Sequence, residues 1–436
     1  MKIGPLDIKE TPAFEYRELY WFDAFDKDWA ARNRTNGWMS RLDSSTGGKV
    51  IYGMFCHTFA TLVPESKYWD SHPEYYSMVR GVRTRRSQLC LTNPDVLKIA
   101  TETVLRWMAE MPEATIFSVS PNDGQAPCEC EKCAAVDAEE GSPAGTLLRF
   151  VNAIAAETEK KYPDKLIDTI AYDYTMKPPK ITRPVRNVRV RLCPILGCNS
   201  HPFEKCPGDA GIMECLEGWS TLTDNLYIWH YSTDFAHYLS PFPNFEELMA
   251  EAQLYKRFDV KGIFWQGNST PGGEFAELRA WMIAKLSWDP KLDGHALVRE
   301  FIGYYYGKSA PHIQEYFDLI HREVKDRNVH IYVFMKPDSP LFTPELFARS
   351  GKLFDQAEKE ADSPEVLRRV RKERLGMDYI QLVRPIYMKQ TAGREKELLD
   401  RLESVYARFK EFGITNFCET EGIDDFYASR KKELGR

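Results

Sequence analysis

Apolar and β-branched residues are concentrated in eight short runs between residues 14 and 267. Most of the runs are bounded by turn-forming or charged residues, and such a pattern predicts strands. The runs are FEYRELYWF (14–22), KVIYGMFCHTF (49–59), SQLCL (87–91), ATIFSVS (114–120), LIDTIAYDY (166–174), NVRVRLC (187–193), NLYIWHY (225–231) and VKGIFWQG (260–267).

The segments between these runs carry apolar residues at helical spacing together with sequence signals for helix ends. The two connections that follow the first two runs have the weakest helical patterns. Helices are predicted after Asn93-Pro94, over 147–155, after the capping-box pair Asn244 and Glu247, and from Glu274 to Trp288, where Asp289-Pro290 ends the pattern.

Eight strands that alternate with helices predict an α/β fold of the (β/α)8 TIM-barrel type over residues 1–320. A doubly wound sheet is the alternative, but the glycine-rich phosphate turn that usually opens such a sheet is not found in the sequence. Residues 321–436 have charged amphipathic patterns that begin near Thr343, Ser363 and Gly393. They predict a C-terminal domain of about three helices, packed on the barrel and without a role in the chemistry.

Composition narrows the class of protein. Of 436 residues, 43% are hydrophobic and 28% are charged, which is ordinary for a globular protein, and the net charge of −6 argues against a nucleic-acid partner. No window has the length of a membrane span, so no membrane insertion is expected. The N-terminus lacks the apolar core of a signal peptide, so we expect a cytoplasmic protein or a secreted one whose signal is missing. The sequence does not indicate an oligomeric state.

Polar and aromatic residues follow the predicted strands, where the carboxyl ends of barrel strands meet at one face. Carboxylates, amides, imidazole and aromatic rings together suit a polyol, so an oligosaccharide or glycan is the expected substrate, and its cleavage requires no cofactor. The candidate substrate-binding residues are Arg17, His57, Tyr172, Trp229, His230, Tyr231, Trp265 and Gln266. Structural alternatives remain for several of them: Arg17 can pair with Glu18 or Asp23, His57 can be a buried structural histidine, and the Trp rings can be core.

The candidate catalytic residues are Asp123, Asn122 and Glu274. Glycoside cleavage needs a proton donor and a group that attacks or stabilises the anomeric carbon. In 2-acetamido sugars the carbonyl of the substrate can attack, and a neighbouring polar side chain orients it. Adjacent Asn122 and Asp123 suit this division of roles, with Asp123 as the leading acid and Asn122 as the orienting group, although Asn-Asp-Gly is also a turn sequence. Glu274 falls in a first helical turn, where an acid is also favoured by the helix dipole.

Three cysteines, Cys128, Cys130 and Cys133, occupy six residues of the loop after Asp123. This spacing is typical of a structural zinc site if a fourth thiol or imidazole completes the tetrahedron. Such a zinc would hold the loop without taking part in catalysis. A disulfide or free thiols are the alternatives. The candidate fourth ligands are Cys193, Cys198, His201 and Cys206.

Several motifs resemble the family called domain of unknown function 4838, in consistent order from about Tyr16 to Ile320. They are HTF (57–59), HPEYYS (72–77), QLCLTNP (88–94), SPND (120–123), CECEKC (128–133), PFPN (241–244), EFAELRAW (274–281), KLSWDP (285–290) and YYG (305–307). Members of known activity form glycoside hydrolase family 163, endo-β-N-acetylglucosaminidases that act on N-glycans. The resemblance implies a TIM-type barrel with its active site at the strand C-termini and retaining, substrate-assisted cleavage at N-acetylglucosamine.

Two positions depart from the pattern of the family. The seventh strand typically ends Trp-Asp-Tyr and here reads Trp229-His230-Tyr231, while the eighth typically carries Phe-Glu-Gln-Gly and here reads Phe264-Trp265-Gln266-Gly267. Two alternatives to an N-acetylglucosaminidase follow: a glycosidase with another sugar specificity, or a carbohydrate-binding pseudoenzyme. A metal-dependent hydrolase is weaker, because paired His or Asp ligands for a catalytic metal are not apparent.

Overall fold

The computed structural model describes Asp7 and residues 9–435. Its strands are β1 (Tyr16–Tyr20), β2 (Tyr52–Met54), β3 (Met78–Val79), β4 (Val82–Arg83), β5 (Ile116–Ser118), β6 (Leu166–Ala171), β7 (Val188–Leu192), β8 (Leu226–Tyr231) and β9 (Gly262–Gln266). Its α-helices are α1 (Lys27–Arg32), α2 (Phe59–Leu62), α3 (Glu65–Tyr68), α4 (Pro94–Glu110), α5 (Glu131–Glu140), α6 (Pro143–Glu159), α7 (Ala210–Leu222), α8 (Phe245–Arg257), α9 (Ala276–Trp288), α10 (Gly294–Tyr306), α11 (Ala310–Asp326), α12 (Pro344–Glu360), α13 (Pro364–Tyr387), α14 (Glu395–Phe412) and α15 (Ile423–Leu434).

Seven strands form one curled, parallel sheet in the order β1-β9-β8-β7-β6-β5-β2. Seven of the eight predicted strands are therefore present, but the closed eight-stranded barrel is not, and the sheet is an open half-barrel with helices outside. The predicted strand at 87–91 was wrong. There, Leu89 forms only an isolated antiparallel bridge with Tyr76, and the adjacent Cys90 thiol packs among other cysteines.

The gap between the edge strands β1 and β2 is bridged by a loop residue, Asn36. Its side-chain oxygen accepts from the amide of Arg17 at 2.9 Å, and its own carbonyl accepts from the amide of Val50 at 3.0 Å. The rings of Tyr16 and Tyr52 also meet across the gap, with centroids 5.6 Å apart. Asn36 thus takes up part of the hydrogen bonding that a further strand would provide between these edges.

Alternate residues of each strand face the inside of the curl, where aromatic side chains pack together. Tyr16, Tyr52, Tyr227 and Phe264 form this interior, and the residues between them face the surrounding helices. Because this space is buried and lined mainly by aromatic rings, any charge placed in it needs a partner.

One ion pair crosses this interior. Arg191 of β7 donates to Asp168 of β6 at 2.9 Å, and both side chains are fully buried. The guanidinium also lies over the ring of Phe55, 4.5 Å from its centroid. Burial raises the pKa of Asp168 to about 6, although the charge of Arg191 acts in the opposite direction. Removal of either residue would therefore leave the charge of the other buried without a counter-charge.

The predicted helices after Asn93, over 147–155, after Asn244 and up to Trp288 are confirmed as α4, α6, α8 and α9. The Asn93 side chain caps α4 as expected, but Asn244 does not cap α8: its oxygen accepts from Arg279 instead. In the C-terminal region, four helices, α12 to α15, follow residue 343 rather than about three. Helix α11 runs through residue 320, and none of the described helices has the length and apolar composition of a membrane span.

We expect Arg191→Met to lower the free energy of unfolding by about 3–5 kcal/mol, because Asp168 would remain buried without its partner. Urea unfolding followed by circular dichroism measures this change. The matched control is Arg186→Met, an exposed arginine before the same strand, with a change within about 0.5 kcal/mol. Equal effects of the two substitutions would contradict a stabilising role for the buried pair.

Candidate functional site

A cavity of about 290 Å³ opens at the carboxyl ends of the sheet strands. This is the end at which barrel-type enzymes carry their active sites, and the volume lies near the lower end of small-ligand sites, about 300–1,000 Å³. The residues that line the cavity are His57, Asp123, Ile170, Tyr172, Cys193, Ile195, Trp229, Tyr231, Phe235, Gln266, Phe334 and Glu419. Six of the sequence-based candidates are among them: His57, Asp123, Tyr172, Trp229, Tyr231 and Gln266.

Two carboxylates, Asp123 and Glu419, face this cavity from distant parts of the chain. Asp123 follows β5, whereas Glu419 lies in the loop between α14 and α15. The amide of Glu419 donates to the carbonyl of Phe235 at 2.9 Å, and this bond fixes the loop against the mouth. Both residues are partly exposed, so both carboxylates can be reached from solvent.

A chain of hydrogen bonds connects Glu419 with Trp229 in the wall of the cavity. Gln266 donates to Glu419 at 3.1 Å, and Trp229 donates to the side-chain oxygen of Gln266 at 2.7 Å. Partial burial raises the pKa of Glu419, the negative charge of Asp123 raises it further, and the bond from Gln266 lowers it. Glu419 therefore retains its proton to higher pH than an ordinary glutamate does.

His57 and Tyr172 lie beside Asp123. His57 has a left-handed backbone (φ 52°), and its Nδ1 lies 2.8 Å from the carbonyl of Pro121. The rings of His57 and Tyr172 meet edge to face with centroids 6.2 Å apart. Burial, followed by the charge of Asp123, raises the pKa of Tyr172 to about 12, so its hydroxyl is a hydrogen-bond donor at neutral pH.

Six lining residues were not predicted from the sequence to lie at the site: Cys193, Ile195, Phe235, Phe334, Glu419 and, within β6, Ile170. The first three lie in loops after β7 and β8, and the rule that barrel sites follow strand ends would have included them. Phe334 and Glu419 come from the region that was expected to have no role in the chemistry. A contribution from such distant loops leaves no local signal in the sequence.

His230 and Trp265 lie on the outer face of the sheet, which corrects their expected place at the mouth. His230 contacts Tyr255 at 2.8 Å and Glu247 at 3.1 Å, and Trp265 donates to Ser287 at 3.0 Å. Adjacent strand residues point to opposite faces, so Trp229 and Gln266 face the cavity while their neighbours face the helices. The two departures from the family pattern therefore do not line the cavity.

Arg17 and Glu274 also lie away from the cavity. Arg17 points outward from β1 and donates to the carbonyls of Phe14, at 2.6 Å, and Arg34, at 3.0 Å, rather than to Glu18. Glu274 is buried and accepts from Arg279 at 2.6 Å. Both side chains are engaged inside the protein, so neither is placed to touch a substrate.

The side chain of Asn122 holds its own loop rather than lining the cavity. Its oxygen accepts from the amide of Ala60 at 2.9 Å, and its nitrogen donates to the carbonyl of Ser87 at 2.7 Å. The backbone of Asn122 is bound from both sides by Gln88. These bonds fix the position of Asp123, and they occupy the amide group that the sequence suggested for orienting a substrate.

Cys90, Cys128, Cys130 and Cys133 form a cluster that could hold a metal ion, with their sulfur atoms within 4.8 Å of one another. Cys90 Sγ lies 3.7 Å from Cys130 Sγ and 4.0 Å from Cys133 Sγ. Zn–S bonds of about 2.3 Å in a tetrahedron separate two sulfurs by about 3.8 Å, so the geometry fits zinc.

The fourth thiol of this cluster is Cys90, from the motif QLCLTNP. The four candidates proposed from the sequence, Cys193, Cys198, His201 and Cys206, are therefore corrected. Cys193 lines the cavity, and the other three lie together elsewhere. All ten cysteines of the sequence fall in the described residues, and each is a free thiol there.

A larger cleft, of about 710 Å³, lies at the opposite end of the sheet. It is lined by Lys256, at the end of α8 before β9, and by Trp288, whose carbonyl accepts from the amide of Ala13 at 2.9 Å, just before β1. In enzymes with barrel folds, the active site lies at the carboxyl ends of the strands, which is the end opposite to this cleft. The smaller cavity, which contains the two facing carboxylates, is therefore the candidate active site.

Comparison with known proteins identifies one family. The model described as "Domain of unknown function (DUF4838)" matches residues 2–318. None of the curated proteins matches the chain.

Three solved structures resemble this chain over most of its length, at low sequence identity and low TM-score. A Thermobaculum terrenum O-GlcNAc hydrolase mutant is 10% identical, with 97% of this chain and 94% of that one covered and a TM-score of 0.43. A GH138 enzyme targeting pectin rhamnogalacturonan II is 10% identical, with coverages of 98% and 84% and a TM-score of 0.37. The protein CpGH84B is 11% identical, with coverages of 96% and 77% and a TM-score of 0.34. At these values the likeness carries no argument about activity.

We expect two substitutions to move the pKa of Glu419 in opposite directions. Asp123→Asn lowers it by removing a neighbouring negative charge, and Gln266→Leu raises it by removing a hydrogen bond to the carboxylate. Carbon-13 NMR titration of glutamate carboxyls measures both, and Glu419→Gln identifies the resonance. Shifts of the same sign would show that the two groups do not act on Glu419 as the geometry indicates.

Proposed function

Because the chain belongs to the family of domain of unknown function 4838, we propose that it is a glycoside hydrolase whose active site is the cavity between Asp123 and Glu419. The observation that carries the proposal is the pair of carboxyl groups, which two distant segments bring to one aromatic-lined cavity. Most glycosidases use such a pair across the scissile bond. The resemblance to glycoside hydrolase family 163, carried by motifs such as SPND and CECEKC, supports the same class.

Glu419 is the proposed general acid. Partial burial and the charge of Asp123 raise its pKa, so that it keeps its proton for the leaving oxygen to higher pH than an ordinary glutamate does. Gln266 holds the carboxyl group at 3.1 Å and so fixes the direction in which it presents its proton. The position of Glu419 on an accessible loop leaves room for a glycan on one side.

Asp123 is the proposed partner of a 2-acetamido group. In retaining, substrate-assisted cleavage the acetamido carbonyl attacks the anomeric carbon, and a carboxylate that accepts from its N–H aligns and stabilises it. The loop bonds of Asn122 hold Asp123 in place, and Tyr172 beside it offers a hydroxyl donor. This assignment gives N-acetylglucosamine in N-glycans or related oligosaccharides as the substrate. It transfers the orienting role from Asn122 to Asp123, and the role of the acid from Asp123 to Glu419.

Aromatic side chains supply the sugar-binding surface of the proposed site. Trp229, Tyr231 and Phe235 form the wall, and the exposed ring of Phe334 stands at the rim, 6.1 Å from that of Phe235. Ring faces pack against the C–H faces of sugars, while Gln266 and the carboxylates serve the hydroxyl groups. A site of this kind binds an uncharged, polyhydroxylated ligand without a metal.

A catalytically inactive carbohydrate-binding protein is the second candidate function. It was suggested by the replacement of two acids by His230 and Trp265. Both residues lie on the outer face of the sheet, so the replacements leave the pair Asp123 and Glu419 in the cavity. A glycosidase with another sugar preference uses the same two groups, and the choice of substrate in the assays below separates it from an N-acetylglucosaminidase.

We also propose that the cluster Cys90, Cys128, Cys130 and Cys133 binds a structural zinc. Four protein sulfurs leave no open position for a substrate, which is the pattern of structural sites. The amide of Met78 lies 3.4 Å from Cys128 Sγ and donates to it, as a group that supports a thiolate ligand does. The ion would hold the loop that follows Asp123 against the segment around residues 76–90.

We expect Glu419→Gln to lower kcat on an N-glycan or its aryl glycoside by about 10²–10⁴-fold, the usual contribution of a general acid. In the wild type, activity falls as pH rises through the pKa of Glu419, since the deprotonated form has no proton to donate. This alkaline limb disappears in the variant. Glu421→Gln, two residues away and exposed, is the control and retains both rate and profile. An unchanged rate in Glu419→Gln would remove its assignment as the acid.

We expect Asp123→Asn to abolish most hydrolysis of 4-nitrophenyl N-acetyl-β-glucosaminide and to leave the cavity folded. The wild type should cleave this compound and leave the matching glucoside intact, because the glucoside lacks the acetamido nucleophile. NMR of the first-formed product then shows retained configuration. Cleavage of the glucoside at a similar rate would indicate another specificity, and binding without cleavage of any sugar would establish the inactive alternative.

A further inference from the structure

A second cluster of ligand-type side chains lies beside the mouth of the sheet. Cys198, His201 and Cys206 belong to the loop between β7 and α7, and His330 belongs to the segment that follows α11. One ligand atom from each residue lies within 4.8 Å of those of the other three. Two thiols and two imidazoles are a ligand set for tetrahedral zinc.

The separations within the cluster match those of a tetrahedral site. His201 Nδ1 and His330 Nδ1 each lie 3.4 Å from Cys198 Sγ, and His330 Nδ1 lies 3.7 Å from Cys206 Sγ. Zn–S bonds of about 2.3 Å and Zn–N bonds of about 2.0–2.1 Å in a tetrahedron separate sulfur from nitrogen by about 3.6 Å. The four groups are therefore spaced around a common centre.

Groups around the cluster hold its members in place. The Asp209 carboxylate accepts from the amide of Cys198 at 3.1 Å, and the Ser200 hydroxyl donates to the carbonyl of Val329 at 2.8 Å. The amide of Asn199 donates to the carbonyl of Ile331 at 2.9 Å. The two ligand-bearing segments are thus joined by one backbone–backbone bond and one bond from a side-chain hydroxyl. Such outer contacts orient ligands before a metal binds.

We propose that Cys198, His201, Cys206 and His330 bind a second zinc ion, in a closed site with two sulfur and two nitrogen ligands. Four protein ligands complete the tetrahedron, so the ion has a structural rather than a catalytic role. Thiolate and imidazole together select zinc over the hard ions magnesium and calcium. The proposal concerns metal binding alone and does not depend on the glycosidase assignment.

The site ties together two segments that both line the cavity. The loop after β7 supplies Cys193 and Ile195, and the segment after His330 supplies Phe334. Along residues 330–334, Ile331 and Val333 are buried, whereas Tyr332 and Phe334 are 45% and 55% exposed. Zinc at His330 would fix the start of this segment and so hold the exposed ring of Phe334 at the rim of the cavity.

The first test is the zinc content and ligand environment of the full-length wild-type protein, purified without chelator. We expect two zinc ions per chain by mass spectrometry. X-ray absorption should give an average of three sulfur and one nitrogen ligands per zinc, because one site has four sulfurs and the other has two of each. One zinc per chain with an all-sulfur shell would overturn the second site. So would a disulfide between Cys198 and Cys206, or iron in place of zinc.

Variants assign each ion to its cluster. His330→Ala and Cys206→Ser should each lose one zinc and leave an all-sulfur shell, whereas Cys133→Ser should lose the other. Cys215→Ser is the matched control, because this buried cysteine of α7 belongs to neither cluster, and it should retain both ions. Retention of two zinc ions in both His330→Ala and Cys206→Ser would contradict the proposal. The wild-type measurements decide the matter if a variant does not fold.

Hydrogen exchange tests the structural role. In His330→Ala, amide protection should fall at least tenfold over residues 328–336 and remain unchanged in β6 and α13, which lie outside the site. Unchanged protection over 328–336, together with loss of one zinc, would show that the ion does not hold the segment.

Discussion

Side-chain alternation along parallel strands is the constraint on which the rest of the structure depends. Each strand places every second residue inside the curl and the residue between them under the helices. The inside is filled by tyrosine and phenylalanine rings, among them Tyr16, Tyr52 and Phe264, and by the pair of Asp168 and Arg191. The same alternation continues to the strand ends and decides which side chains reach the cavity. It brings Trp229, Tyr231 and Gln266 there and turns His230 and Trp265 away.

The curled sheet alone does not complete the cavity. Phe334 and Glu419 are contributed by segments that follow the barrel-like region, and backbone bonds from Phe235 to Val333 and from Glu419 to Phe235 dock both segments on the mouth. A carboxylate that is essential to the proposed chemistry would thus arrive only when the C-terminal helices are packed in place. Folding of that region and formation of the site would be coupled for this reason.

The two clusters of potential metal ligands lie next to loops whose mobility would otherwise disturb the site. Loops have few buried apolar contacts and open easily, yet a reacting carboxylate must be held to within a fraction of an ångström. Three thiols of the first cluster, at residues 128–133, follow Asp123 closely in the chain, and His330 of the second cluster lies shortly before Phe334. Metal ligation would supply, at these two places, the stiffness that a longer strand or a larger core supplies elsewhere.

Local patterns in the sequence were enough to predict seven of the strands, the helices α4, α6, α8 and α9, and the end of the sheet that carries the cavity, because periodicity and capping depend on neighbouring residues. They also placed Asp123, His57 and Tyr172 at the mouth. Only the tertiary structure decided the strand count, the choice of Cys90 as the fourth thiol and the approach of Glu419. These depend on contacts between residues far apart in the chain, and burial, hydrogen bonding and side-chain direction at such contacts leave no periodic signal in a single sequence.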